Sequence, residues 1–415
     1  MKRRSSMRFG VAAALWAAGW LANAWAADWP QFLGPTRDGV SPESVEPWGA
    51  AGPRVLWKAK VGAGFSSPVV SGGRVVLHHR EDDSEVLQAF DAATGKVLWR
   101  APQPTQYRDD FGFDEGPRGT PSISGGTVFS FGAAGRLSAV RLVDGAPVWS
   151  RPVGEEMRAG KGFFGFACSP LVWSNLVVVQ VGGRPGAGIA AFDAADGHTV
   201  WRATEDEAGY ASPVVVSVGG RPRIVAFDRE GVVVLEPRDG RVAGRKAWRS
   251  RQGASVNAAT PVPVGGGIFV TASYDTGGAL FRLADDGTIA TAWSGDGSLS
   301  SHFATPVASE GWLFGFHGRQ EQGPALRCIE AATGKVLWSE DGFGAGSVTR
   351  VGRRLLVLRE DGELLLGEAS GERWAATARA QVLGTGIRAG AAISEGRWFG
   401  RDKRELVALE LSAKR

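Results

Sequence analysis

The sequence predicts an all-β fold: an eight-bladed β-propeller of four-stranded antiparallel blades, with an N-terminal strand closing the last blade. Three observations carry this expectation. The chain repeats at roughly 45–50 residues, the spacing of propeller blades. Six repeats begin with Ser/Thr-Pro and a short apolar run: Ser67-Pro68, Thr120-Pro121, Ser169-Pro170, Ser212-Pro213, Thr260-Pro261 and Thr305-Pro306. A tryptophan closes each of seven units: Trp99, Trp149, Trp201, Trp248, Trp293, Trp338 and Trp374.

The first unit shows the pattern. Strand A follows Pro68, and Ser71-Gly72-Gly73 reads as a hairpin turn into strand B. Strand C is VLQAFD, Thr94-Gly95 is the next turn, with glycine supplying a positive φ, and strand D is KVLWR. Residues 89–100, AFDAATGKVLWR, recur as AFDAADGHTVWR at 191–202 and CIEAATGKVLWS at 328–339. The repeated tryptophans therefore read as structural, packing between neighbouring blades.

The last segment, Ile387 to Leu411, offers strands A to C and no closing tryptophan. Arg54-Val55-Leu56-Trp57-Lys58 reads as a strand D with nothing before it. Residues 54–61 are expected to complete that blade, with Trp57 as its tryptophan. A seven-bladed ring with a loose tail is the alternative. The organisation is then a signal segment at 1–26, an extension at 27–53 and a propeller at 54–415.

Lys2, Arg3, Arg4 and Arg8 precede an apolar run from Phe9 to Leu21, and Ala24-Trp25-Ala26 fits a signal cleavage site before Ala27. The run is shorter than the ~20 residues of a spanning helix. Export to the periplasm or beyond is expected, with no transmembrane segment after cleavage; uncleaved retention as an anchor is the alternative. No cysteine stands near the cleavage site for lipid attachment. Removing residues 1–26 takes four of the 47 basic residues and none of the 43 acidic ones, leaving the chain formally neutral. That balance argues against nucleic acid as a partner, and a monomer is expected.

Motifs for chemistry are scarce. There is no G-x-S-x-G and no phosphate-cradling G-x4-G-K-[ST]. Gly186-x-Gly188-x-x-Ala191 matches a dinucleotide fingerprint formally but leads into a strand. His78 and His79 are adjacent in a strand and point to opposite faces, which reads as a polar strand edge and no metal site. Cys168 and Cys328 fall three blades apart, beyond disulfide reach, and are expected as buried free thiols.

The better candidate is one mouth of the axial channel. Two or three residues before each Ser/Thr-Pro, or the matching place, stand Phe65, Arg118, Phe166, Tyr210, Asn257, His302 and Arg388. They differ where the rest of the repeat is regular, as the walls of a ligand pocket would. Arg118 and Arg388 would suit an anionic or sugar-like ligand. The alternative is that the seven plug the axis by stacking and hydrogen bonding. Two inserts, YRDDFGFDE (107–115) and EEMRAGKGFFGF (155–166), lie on one face. Asp109, Asp110, Asp114 and Glu115 lack EF-hand spacing and read as a solvated acidic loop.

AFDAATGKVLW resembles the repeat named after pyrroloquinoline quinone (PQQ), which builds eight-bladed quinoprotein dehydrogenases and the propeller subunit of the outer-membrane β-barrel assembly machinery. DWPQFLGPTRDGVSP, GPRGTPSISGG, DEAGYASPVV, SHFATPV and RDKRELVALEL look like exported single-domain PQQ-like propellers. The resemblance implies the fold strongly and the activity weakly. By resemblance alone PQQ with calcium is an alternative cofactor, although the adjacent cysteine pair of those dehydrogenases is missing; no cofactor is expected from the residues. The expected function is a binding platform for a small molecule or an envelope protein at the channel mouth. A PQQ-dependent oxidoreductase is the alternative, and a hydrolase using mouth carboxylates has no motif behind it.

Overall fold

The computed structural model describes residues 28–411, so the expected signal segment lies outside the described residues. Eight four-stranded antiparallel sheets form a propeller ring. Blade 1 comprises strands A to D at Val69–Ser71, Arg74–Glu81, Ser84–Asp91 and Val97–Pro104. Blades 2 to 6 occupy residues 122–151, 171–203, 214–247, 262–295 and 307–340, and blade 7 residues 346–381. Blade 8 takes Ala392–Ser394, Arg397–Arg401 and Glu405–Glu410 from the C-terminal end, and Val55–Lys60 pairs antiparallel with its strand C. The described residues therefore form eight blades, and the C-terminal segment belongs to the ring.

Strands B and C are covered on both faces by the adjoining blades. They read as nearly continuous apolar runs: seven of the eight residues Leu176–Gly183 are buried. Strand D lies at the rim and alternates buried with exposed positions.

Six tryptophans, Trp57, Trp99, Trp149, Trp201, Trp293 and Trp338, sit at one register position in strand D, beside a bulge. Each indole N–H donates to a backbone carbonyl in the C–D turn of the next blade. The acceptors are Ala92, Leu142, Ala194, Pro237, Ala331 and Ser370, at 2.8–3.1 Å. Five of the rings lie flat against that turn's glycine. At Gly95 (φ 71°) an added Cβ would fall 2.6 Å from the Trp57 ring, so this turn needs glycine both for its backbone and for the clasp. Burying an indole is worth about 4–6 kcal/mol, and its hydrogen bond about 1 kcal/mol more.

Trp248 and Trp374 depart from the expected place. Trp248 follows its strand D (Val242–Ala247), and Trp374 precedes its own (Ala376–Gln381). Gly244 and Ala378 hold the register position instead. The reason lies in the next blade. Gly244 packs backbone to backbone on Gly287, where a Cβ on either would come within 2.1 Å of a carbonyl oxygen. Ala378 faces blade 8, whose strands C and D come from opposite ends of the chain and share no turn. Both displaced tryptophans still pack in cores, Trp248 edge-on to Phe281 and Trp374 against Trp338 and Phe343.

The Ser/Thr-Pro landmarks form a second, inner ring. The Ser67 amide donates to Thr120 Oγ1, Thr120 to Ser169 Oγ, Ser169 to Ser212 Oγ, Ser212 to Thr260 Oγ1 and Thr260 to Thr305 Oγ1, at 2.9–3.0 Å. The Gly390 amide of blade 8 joins by donating to Ser67 Oγ at 2.8 Å. Each hydroxyl answers the orphan amide that opens the neighbouring strand A.

Residues 28–46 run across the face that carries the A–B and C–D turns. Trp29 bridges to Val70 in blade 1, and the Pro30 carbonyl accepts the Ile123 amide of blade 2. Buried Arg37 donates to the Ser169 and Pro170 carbonyls of blade 3. Val40–Ser41 then adds a parallel fifth strand to blade 7, and Glu43 accepts the Glu395 and Gly396 amides of blade 8. This strap closes one end of the axial channel.

Two variants test these rings. Trp99→Ala is expected to cost about 3 kcal/mol or more, as buried Trp→Ala changes do, read from the urea midpoint. Thr120→Ala strands the Ser67 amide and should cost about 1–3 kcal/mol, while Thr120→Ser keeps the acceptor and should stay near wild type.

Candidate functional site

The opposite face carries the D–A and B–C connections, where the repeats differ most. They surround a cavity of about 380 Å³ on the axis. Its floor includes Ser67, Ser169, Ser212 and Thr260 of the inner ring together with Phe32 of the strap. Its walls are aromatic, and three arginines, Arg118, Arg319 and Arg388, reach it.

Five of the seven residues named from the sequence line this cavity: Phe65, Arg118, Tyr210, His302 and Arg388. Phe166 does not; it is buried against Phe131 at 5.3 Å. Asn257 does not either. Its Nδ2 donates to the Asp228 and Trp248 carbonyls, and its own carbonyl accepts the Tyr210 and Ala211 amides. Strand alternation explains both. The residue two before each inner-ring hydroxyl faces the axis in all six blades: Phe65, Arg118, Ala167, Tyr210, Ala258 and Phe303. Phe166 and Asn257 stand three before it and turn outward. His302 also stands three before and reaches the cavity, beside Phe303.

The two inserts meet over the mouth. Phe111 lies 5.3 Å from Phe164 and 6.1 Å from Phe163, and Phe113 lies 6.0 Å from Phe164. Lys161 pairs with Asp110 at 2.7 Å. Tyr210 pins the second insert, its hydroxyl accepting the Phe163 and Phe164 amides at 2.8 and 3.2 Å. Phe111 and Phe113 remain about half exposed at the rim (53% and 43%), well above the exposure usual for phenylalanine.

The acids of the first insert are engaged. Asp109, whose side chain is wholly buried, accepts the Phe113 and Asp114 amides and lies 3.8 Å from Arg118. Asp114 accepts the Gly116 amide and lies 3.5 Å from Lys403. Glu115 lies 3.5 Å from Arg80. Arg118 rests over Phe65, Tyr107 and Phe164 at 5.6–5.8 Å and donates to the Asp114 carbonyl. Contacts of this kind are worth about 0.5–2 kcal/mol. The donor set does not fit calcium: Glu321 is the one carboxylate among the described lining residues, and it pairs with Arg319, whereas the ion takes six to eight oxygens.

Sequence reasoning passed over Phe32, Tyr274, Phe303 and the Arg319-Gln320-Glu321 turn. Phe32 comes from the strap, which no repeat announces. Tyr274 and Arg319 lie in B–C loops, longer in blades 5 and 6 than the two-residue turn of blade 1; that length was the available signal. Tyr274 Oη meets His302 Nε2 at 2.8 Å, and burial holds this imidazole down to about 4.

Outside the mouth, His78 and His79 are buried, so the expectation of a polar strand edge fails. They do face opposite ways. His79 Nδ1 accepts the Gly62 amide, leaving Nε2–H to donate to Gln88, while His78 faces Glu85 at 3.7 Å. Cys168 and Cys328 are free and buried, and burial pushes both thiols up to about 12. Asp193, Asp196 and His198 cluster in the exposed C–D turn of blade 3, where Asp193 accepts the Ala195 amide and Asp196 the His198 amide.

A family model described as outer membrane protein assembly factor BamB matches residues 44–161 and 82–315. The chain belongs to this PQQ-repeat propeller family. BamB of Alkalilimnicola ehrlichii is 30% identical over 225 residues, 54% of this chain and 52% of that protein. BamB of Burkholderia pseudomallei is 29% identical over 262 residues, 59% of each. The chain thus matches somewhat over half the length of these curated relatives. Among solved structures, BamB from Moraxella catarrhalis superposes with a TM-score of 0.62 at 15% identity, covering 87% of this chain and 98% of that one. The quinohemoprotein alcohol dehydrogenase of Comamonas testosteroni gives 0.55 at 15% identity, covering 95% and 82%. At such identities the likeness is one of fold.

The His302 site has a pH signature. In the unfolded chain an imidazole takes a proton near pH 6.5; folded, His302 resists protonation until about 4. Between these values the unfolded state binds more protons, so this contribution to stability is complete above pH 6.5 and is lost as pH falls toward 4. His302→Gln should lose less stability than wild type between pH 7 and pH 5 in thermal melts. His78 and His79, lowered to about 3 and 4, add slope of the same sign, while burial raises Glu85 to about 7 and Asp228 to about 6 and these oppose it, so the comparison is read as the difference between variant and wild type.

Proposed function

We propose that the protein is a periplasmic propeller scaffold that binds its partner at the axial mouth and performs no chemistry there. The observation that supports this reading is the mouth itself. A regular ring carries one irregular feature, a closed-floored cavity ringed by exposed phenylalanines and arginines, which is how binding surfaces differ from the rest of a protein's surface. The family relatives are named as outer membrane protein assembly factors, so the partner proposed is an envelope protein. Periplasmic placement rests on the same relatives and on the signal-like N-terminus. No helix among the described residues is long and apolar enough to cross a membrane.

The oxidoreductase alternative gains nothing from the cavity, whose lone carboxylate is committed to Arg319. A photo-crosslinking residue at position 111 should capture an envelope protein in cells, and the same residue at exposed Val143, in the C–D turn of blade 2 on the opposite face, should not. Added PQQ with Ca²⁺ should support no dye reduction. Dye reduction with PQQ, or equal capture at both positions, would sink this reading.

A further inference from the structure

Arg388 stands out among the mouth residues. Its guanidinium lies 5.1 Å from the Phe65 and Phe113 ring centres and 5.7 Å from that of Phe303. Its side chain is 22% exposed, and its nearest carboxylate, Glu360, stays 3.8 Å from Nε. It donates no hydrogen bond to any described residue. Buried arginines elsewhere in the chain behave differently. Arg37 donates to three acceptors, and Arg80 is similarly committed. The Arg388 nitrogens are not sealed in the interior, so the fork stays open on the cavity side with its donors available to a ligand.

The surroundings narrow what that ligand is. Arg118 and Lys403 also reach Phe65, at 5.8 and 5.5 Å, so three cations lie about one aromatic ring, their nearest carboxylates 3.5–3.8 Å away. The floor hydroxyls of Ser67, Ser169, Ser212 and Thr260 accept ring amides but donate to no described residue. The mouth therefore presents donors in excess of acceptors, between phenyl walls. At about 380 Å³ the cavity suits a small organic molecule.

We infer that the mouth cavity binds a small organic carboxylate with a flat apolar body, its carboxylate on Arg388 and its body between Phe65, Phe113 and Phe303. The planar fork of arginine matches a carboxylate in two parallel hydrogen bonds. The inference rests on the mouth being the binding site, and adds a small ligand in the cavity beneath the rim that the envelope protein would meet.

A series of equal shape separates charge from stacking: naphthalene-2-carboxylate, naphthalene-2-carboxamide and 2-naphthylmethylammonium, titrated by calorimetry into the full mature chain. The carboxylate should bind about tenfold to a hundredfold tighter than the amide, as a charge-assisted pair predicts, and the ammonium should not bind. Arg388→Gln should remove the preference for the carboxylate and leave amide binding unchanged, with the thermal midpoint confirming a folded ring. Arg388→Lys should restore only part of it. Phe113→Ala, at a half-exposed rim position, should weaken carboxylate and amide alike. Equal affinity for carboxylate and amide, an undiminished preference in Arg388→Gln, or no binding of the carboxylate at millimolar concentration would each overturn the assignment. Capture of an envelope protein at position 111 alongside any of these results would leave the scaffold reading standing while the carboxylate falls.

Discussion

Six buried indole N–H groups each find their acceptor in the neighbouring blade, whereas Trp248, displaced from that register, has none among the described residues. That pairing organises much of the rest. It sets the register of strand D, because the ring must rise beside the bulge to reach the next C–D turn. It excludes a side chain from the turn beneath, as Gly95 under Trp57 shows. It also explains the exceptions, since Gly244 and Ala378 appear where the next blade offers either a bare backbone or no turn. At the axis the inner-ring hydroxyls do the complementary task, giving each opening amide a partner that the sheet does not supply.

With both circumferences fixed, sequence variation is free on one face alone. The turn face is occupied by indole clasps and by the strap. The D–A and B–C connections on the other face bear no such duty, and there the chain places its phenylalanines, arginines and two inserts. The site is thus the part of the molecule that the ring does not use. Its floor is nonetheless made by the ring, through Ser67, Ser169, Ser212 and Thr260, so the geometry of the cavity inherits the rigidity of the hydroxyl relay.

The fold was legible because its signals are local and repeated. Turn glycines, Ser/Thr-Pro and a strand D lacking a partner at Val55 sufficed to place eight blades and the closure. The site was legible only in part. The axial position was correctly located near each Ser/Thr-Pro, but side chains alternate along a strand, and a shift of one residue reverses the face. Choosing the more distinctive Phe166 and Asn257 over Ala167 and Ala258 crossed that line. The strap was not legible at all. Residues 28–46 have no repeat, no marked periodicity and hydrogen-bond partners in five blades, and nothing in DWPQFLGPTRDGVSP states that Arg37 will end beneath Ser169.

The two joints without an indole also divide the circle unequally. Trp57, Trp99, Trp149 and Trp201 link blades 8, 1, 2, 3 and 4 into one arc, while Trp293 and Trp338 link blades 5, 6 and 7 into another. Arg118 and Phe65 belong to the larger arc with Arg388, and Tyr274, His302 and Arg319 to the smaller. The cavity straddles the seam. So does the strap, anchored to blades 1, 2 and 3 at one end and to blades 7 and 8 at the other. The joint between blades 4 and 5 is held instead at the axis, where the Ser212 amide reaches Thr260 Oγ1, and the joint between blades 7 and 8 from one face, where the strap spans both blades; each joint lacking an indole is thus closed by a different device.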